Sequence, residues 1–436
     1  MYGAAYYKKS ERKYVMKLFI SEERVRNIIE QIIWWAMIVL EFIIMGRIFD
    51  FTYYDMPGWG LIVWCWYILY RKRTEIDVRA VLLFTAFTIY MLVYRHFIPV
   101  HDRWYKGMAL DTGLAYIMGK ILIDKDDAEG CTRQLFIVIW VSVLGTYMHA
   151  IANGYVYFKE AGDVTNGIRY WNDFWSGAYI PATQHVMYSM LMASFIIPSF
   201  FFGKWWLPVI TVPLGMIGLW FNIFSGSRMI VGTTAVGIIA EFVVFCIVYR
   251  RKKWARILMG CTVGGGVLLL AVFLIVCKLN IGNIQNSSMY YFLFLRQGGI
   301  FKNVRLEYHA QAFSQLIQLW YGGRFMKFDN RYIHNTWLDM YNGGGVVPTV
   351  LFLVFSILSI VDVVKLIRLK NVKEAYKIAV SGIWATYIGY YYFEPAIDAN
   401  IMHVAYWTLL AGALHKYVVT MGRSVQSERG EAVKQA

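Results

Sequence analysis

Apolar residues in this chain come in long unbroken runs, not in strand-like alternation. Twelve such runs can be counted: 29–48, 57–70, 78–95, 107–123, 134–152, 182–202, 205–223, 229–249, 255–277, 345–366, 376–393 and 399–418. Most approach the roughly 20 residues that a helix needs to cross a hydrocarbon core of about 30 Å. The second run is short, and Asp111 and Lys120 interrupt the fourth. A helix satisfies its own backbone hydrogen bonds, so helices are the natural spanning element. The pattern predicts an all-α polytopic membrane protein with about 12 transmembrane helices.

Composition agrees. Of 436 residues, 58% are hydrophobic and 16% charged, against about 45–50% and 25% in soluble domains. The first residues are polar and basic, and no small-residue cleavage site follows the first run, so no cleavable signal peptide is expected. The net charge of +15 would in a soluble protein raise nucleic acid as a partner. Here the positive-inside rule absorbs it. Lys8, Lys9, Arg12, Lys13, Lys17, Arg24 and Arg26 place the N-terminal segment inside. Arg71-Lys72-Arg73, Arg250-Arg251-Lys252-Lys253, Lys365 to Lys373, and Lys416 with Arg423 then fall in cytoplasmic gaps. The five cysteines show neither metal-ligand spacing nor a disulfide framework and read as small packing residues.

This topology divides the chain into five parts. They are a basic cytoplasmic segment (1–28), nine spans (29–277) with an outer loop at 153–181, a large outer loop (278–344), three spans (345–418) and a cytoplasmic tail (419–436). Loops this long are usually functional or disordered, and their many aromatics argue for order. In the larger one, Leu306, Ala310, Phe313, Ile317 and Trp320 recur at helical spacing. They predict an amphipathic helix lying on the membrane surface, with His309 on its polar side.

Candidate chemistry gathers on the expected outer face. It comprises Arg169, the Ser225-Gly226-Ser227-Arg228 turn, Arg305, and His334-Asn335-Thr336-Trp337-Leu338-Asp339 ahead of Gly343-Gly344-Gly345. Outer arginines run against the positive-inside trend. Their planar forks suit phosphate, and a nearby histidine can take a proton from a hydroxyl. Each residue also has a plain structural reading. Arg228 snorkels at a helix end, Arg169 and Arg305 pair with Asp163, Asp173 or Glu307, and His334 caps a helix. No Walker loop, zinc-binding His-Glu-x-x-His, Gly-x-Ser-x-Gly or outer Asp-x-Asp is present. Asp111, Lys120 and Glu241 are few for an ion pathway. From residues alone the reading stops at a membrane protein with a cationic outer site.

Across roughly 160–400 the chain resembles the bacterial O-antigen ligase and O-antigen polymerase superfamily. Ser225 to Arg228 is similar to that family's Ser-Arg motif. Arg305 through Gly322-Gly323 resembles its large-loop pattern, and His334-Asn335 followed by Leu338 resembles its His-Asn motif. Arg169 stands at the loosely kept upstream position, although Pro181-Ala182-Thr183 replaces the usual Pro-Asn. The resemblance implies a GT-C-like glycosyltransferase in the bacterial inner membrane, with its site facing outward and needing neither metal nor cofactor. It implies an undecaprenyl-diphosphate-linked oligosaccharide as donor and a glycan hydroxyl as acceptor, in a polysaccharide polymerase. Alternatives are a ligase acting on a lipid or protein acceptor, and a lipid-linked glycan transporter. His334, Arg228 and Arg305 would be catalytic. Arg169, Ser227, Asn335 and His309 would bind substrate. Membrane lipids and other polysaccharide-assembly proteins are the expected partners, and nucleic acid is not.

Overall fold

The computed structural model describes residues 22–48, 56–98, 102–161, 170–177, 179–224, 228–286, 290, 304–327, 333–399 and 401–435. Arg169 and Ser227 lie outside the described residues, as does the side chain of Arg228.

Helices form where the apolar runs are. They are α1 (Glu22–Met45), α2 (Met56–Arg71), α3 (Val78–Phe97), α4 (Asp102–Leu122), α5 (Ala128–Ala161), α6 (Ala182–Ala193), α7 (Ile196–Ser199), α8 (Trp206–Phe224), α9 (Arg228–Tyr249) and α10 (Lys253–Lys278). After the large loop come α13 (Val346–Arg368), α14 (Glu374–Phe393), α15 (Ala396–Ala399) and α16 (Ile401–Gln435). The loop itself contributes α11 (Val304–Gln315) and α12 (Thr336–Gly344). A two-stranded antiparallel ribbon, β1 (Tyr170–Asn172) with β2 (Tyr179–Pro181), lies in the 153–181 connection. The sixth run is the one that does not make a single long helix. It breaks after Ala193, where the Ser194 hydroxyl bonds Thr386 at 2.8 Å.

Among the described residues five helices are long and apolar enough to cross a membrane: Arg24–Met45, Val78–Phe97, Ala128–Val156, Gly232–Tyr249 and Val346–Arg368. Large apolar side chains such as Ile32, Val39, Val81, Leu92, Val243 and Ile357 stand exposed on them, as lipid-facing helices require. The interior is unusually rich in tyrosine. Tyr90, Tyr116, Tyr147, Tyr188, Tyr387, Tyr391, Tyr406 and Tyr417 are fully buried, as is Trp407. At the centre α4 and α16 run backbone against backbone. A Cβ at Gly119 would strike the Leu409 carbonyl, and one at Gly412 the Tyr116 carbonyl. Small residues permit such close approach where no hydrophobic drive separates helix from lipid.

The polar ends of the helices collect in two places. At one, Arg71 pairs with Asp124 and with Glu30 at 3.0 Å, Lys120 with Asp77 at 2.9 Å, Lys416 with Glu75 at 2.7 Å, and Arg79 with Asp362. Lys120, which interrupts the fourth run, is one of these paired charges. It sits two residues from the end of α4 and also donates to the Glu75 carbonyl at 2.7 Å. The other end carries the large loop, where α3 finishes with Phe97 against Tyr321 and Phe325.

Candidate functional site

The large loop is fixed by a glycine clip. Gly322, at φ +82°, lies so close to the end of α12 that a Cβ would sit 2.5 Å from the Gly345 nitrogen. Gly323 N–H donates to the Gly343 carbonyl (3.1 Å), Arg324 N–H to Asn342 (2.6 Å), and Val346 N–H to Trp320 (2.8 Å). These bonds seat the turn that follows α11 against the α12–α13 junction. α11 ends at Gln315, with turns to 321, shorter than the apolar spacing implied. Its expected stripe is exposed: Leu306, Phe313, Ile317 and Trp320 all face outward. The other side of the segment is apolar too, and packs Tyr308, Ala312, Leu316 and Leu319 against Met326, Ile333, Leu338 and Tyr341. His309 belongs to that inner side and is buried.

This docking brings Arg305 and His309 to His334. Glu394, just past the end of α14, joins them. Its Oε1 accepts from Arg305 at 2.7 Å, and its Oε2 lies 3.4 Å from His334 Nδ1. The carboxylate is buried, with a side chain 5% exposed, while His334 and Arg305 are 21% and 22% exposed. The two groups that would meet a substrate thus border solvent, and the group that holds them does not. With Nδ1 as donor to Glu394, the neutral ring carries its basic lone pair on Nε2. The Glu394 backbone is held as well: its carbonyl accepts from Thr336 Oγ1 at 2.6 Å, and that hydroxyl accepts from Ala396 N–H at 3.2 Å.

His334 has φ +59°, a conformation that costs a non-glycine residue on the order of 1–3 kcal/mol and persists only where surroundings enforce it. Here they do. The Asp339 carboxylate accepts from Ile333 N–H (3.0 Å) and Asn335 N–H (3.2 Å), one on each side. His309 Nε2 lies 3.2 Å from the His334 carbonyl. Burial, with Arg305 and His334 adding to it, holds the His309 imidazolium below the ordinary histidine range. The neutral ring therefore donates from Nε2 to that carbonyl, which makes His309 a positioning group for His334. Asn335 caps α12: its side chain accepts from Leu338 N–H at 3.1 Å and donates to the Tyr392 carbonyl at 3.2 Å. The helix-capping role considered for His334 thus belongs to its neighbour.

Sequence reasoning missed Glu394. It stands alone beyond an aromatic span, and only its position at a span end on the arginine-bearing face could have marked it. Arg305 was weighed as a partner of Asp163, Asp173 or Glu307, and Glu394 takes that place. Asp173 has other work. Its Oδ2 lies 2.9 Å from His149 Nε2 and 3.3 Å from Arg47, and its Oδ1 accepts from Trp175 and Ser176 N–H at 3.1 and 2.9 Å. Burial alone would raise its pKa. His149, the Ser176 N–H and Arg47 outweigh burial and hold it well below the usual carboxylate range. A group with a depressed folded pKa contributes stability above its unfolded value of about 4 and loses it only as pH falls through the folded value. The turn after β1 is therefore expected to stay latched from pH 8 to pH 5. Asp173→Ala should cost about 3–5 kcal/mol, as breaking a buried pair does. Thermal unfolding and quenching of Trp175 fluorescence across that range check both statements.

Among the described residues no group of three or more His, Cys, Asp or Glu is placed to hold a metal ion. What the arrangement can do chemically is accept a proton at His334 Nε2 beside a guanidinium. In comparison with known proteins, no family model matches the chain and no curated protein matches it.

Proposed function

We propose that the chain is a GT-C-like membrane glycosyltransferase of about 12 spans, with the Lys120 end cytoplasmic and the His334 end extracytoplasmic. It takes an oligosaccharide from an undecaprenyl-diphosphate carrier and transfers it to the hydroxyl of an acceptor glycan, as a polysaccharide polymerase of the bacterial inner membrane. The observation that supports this most is the Arg305–Glu394–His334 constellation: a base oriented by a buried carboxylate, with a cation beside it.

In this reading His334 Nε2 takes the acceptor proton as the hydroxyl oxygen attacks the anomeric carbon. The bond from that carbon to the diphosphate oxygen breaks, and the lipid diphosphate leaves with the electron pair. Arg305, with Arg228 and Arg169 from the resemblance, neutralises the growing charge. A preorganised donor of this kind contributes about 3–4 kcal/mol. A single displacement inverts the anomeric centre. Asn335 and His309, for which the resemblance implies substrate contacts, also hold the His334 segment in position. Ser227 keeps the substrate-binding role that the resemblance implies.

One observation favours a second reading, a transporter for the same lipid-linked glycan. Asp111 and Glu241 are fully buried, and neither carboxyl oxygen of either has a hydrogen-bond partner among the described residues. Unpaired intramembrane carboxyls often mark transport paths. These two lie on different helices, α4 and α9, and no polar chain is described between them.

The test is complementation of a deletion strain with wild type, Arg228→Ala and Arg305→Ala at matched membrane levels, read as the length ladder of surface glycan. Loss of the ladder with single carrier-linked units is the expected outcome, with transfer by Arg305→Ala down about 10²-fold. Long carrier-linked chains that never reach a final acceptor make the protein a ligase. Absence of any glycan on the outer leaflet makes it a transporter. A wild-type ladder in both variants removes the arginines from the chemistry.

A further inference from the structure

The end opposite the candidate site holds a second polar feature, a cavity of about 360 Å³. Four segments wall it. The connection before α3 supplies Arg73, Glu75 and Asp77, α4 supplies Lys120, the connection before α5 supplies Asp126, and α16 supplies His415, Lys416 and Arg423. The volume falls in the range of ordinary ligand pockets, about 300–1,000 Å³.

Charges in the floor are matched and rigid. Glu75 binds Lys416 (2.7 Å) and Lys120 (3.4 Å), and Asp77 binds Lys120 (2.9 Å). Asp77 is further fixed as the cap of α3, accepting from Arg79 and Ala80 N–H. His415 stands between Asp77 (3.5 Å) and Asp362 (3.0 Å), and Arg79 completes the set on Asp362. Burial acting alone would raise the pKa values of Glu75 and Asp77, but the lysines outweigh it and both are depressed. Glu75 and Asp77 thus stay ionised and paired through neutral pH.

The rim differs. Arg73 and Arg423 are exposed and make no ion pair or side-chain hydrogen bond among the described residues. Against them stands Asp126 alone. Two rim guanidinium groups less one carboxylate leave one net positive charge at the mouth, over a floor whose two lysines and two carboxylates cancel. Guanidinium forks donate parallel hydrogen bonds in the geometry that phosphate oxygens accept. The paired floor has no spare cation to attract an anion deeper, so the rim sets what binds.

We propose that this cavity is a binding site for a phosphate-bearing anion, held by Arg73 and Arg423 above the Lys120–Glu75–Lys416 floor. It is separate from the His334 site and does not depend on that site's chemistry. A phosphodiester headgroup of an anionic lipid and a soluble phosphate share the recognising chemistry, and experiment separates them.

The full chain would be placed in phosphatidylcholine nanodiscs, and its melting temperature followed in two titrations at constant ionic strength. One replaces phosphatidylcholine by phosphatidylglycerol, and the other adds inorganic phosphate. A ligand that binds only the folded state raises the melting temperature in a concentration-dependent way. The expected result is a saturable rise with one of the two, lipid or free phosphate, which names the source. In Arg73→Gln/Arg423→Gln the apparent affinity should be about tenfold weaker, the equivalent of about 1.4 kcal/mol, with the melting temperature in pure phosphatidylcholine unchanged. Native mass spectrometry of the retained lipid gives a second measure that does not rely on unfolding. No rise with either ligand, or an undiminished rise in the double variant, overturns the proposal.

Discussion

If the proposed function holds, replacing His334 by alanine is expected to lower glycan transfer by about 10²–10⁴-fold, the contribution of a positioned general base. The backbone supplies a control that separates chemistry from folding. His334 sits at φ +59°, where glycine carries no steric penalty and alanine carries about 1–2 kcal/mol. His334→Gly should therefore unfold at a higher temperature than His334→Ala, while both lose transfer to the same extent. Melting curves and a single-turnover assay on carrier-linked oligosaccharide measure the two quantities independently. If activity followed stability, with the glycine variant much the more active, the residue would be serving the loop fold and not the proton transfer.

The helices were legible because apolar run length is a direct demand of a thick hydrocarbon layer. The break after Ala193 had a signal in Pro198, which has no N–H for the Ser194 carbonyl four residues back, whereas the hydroxyl contact of Ser194 with Thr386, nearly two hundred residues apart in the chain, had none. The amphipathic segment has two apolar sides, of which the sequence reading used the one that is exposed. Leu306, Ala310, Phe313 and Ile317 stood out, but Tyr308, Ala312, Leu316 and Leu319 run parallel to them and make the buried contact. His309 lies on that second side, so the polar-face expectation inverted its environment.

Of the arrangement the loop brings together, Arg305 and His334 could be singled out by residue type and by resemblance, and the carboxylate that joins them, Glu394, could not. Charge reasoning weighs arginines and lysines because they bias topology, and acidic residues carry little weight in it. Glu394 therefore gave no signal, nor did the role of Asp339 in bracketing a strained histidine. Lys120 has partners that its apolar run did not reveal. Its helix stops two residues later and delivers it to Glu75 and Asp77.

Substituting Glu394 by glutamine is the sharper test of the arrangement, and transfer is expected to fall by about 10²–10³-fold. Glutamine keeps the size and one acceptor, so Thr336 and Ala396 can still hold the backbone through their own bonds. It cannot carry the charge that Arg305 and His334 share. Two consequences act together. The His334 ring loses the acceptor that fixes its donor on Nδ1, and Arg305 loses the anion that sets the direction of its fork. Neither is a loss of acceptor binding, so kcat should fall with KM little changed, the signature of an interaction that matters in the transition state. Glu394→Asp restores the charge but retracts it by one methylene, and should recover part of kcat and none of a stability difference. A merely structural Glu394 would give the reverse: lowered melting temperature in glutamine and aspartate alike, with kcat per folded molecule intact. That outcome would leave His334 without an orienting partner and would return the general-base assignment to the motif resemblance alone.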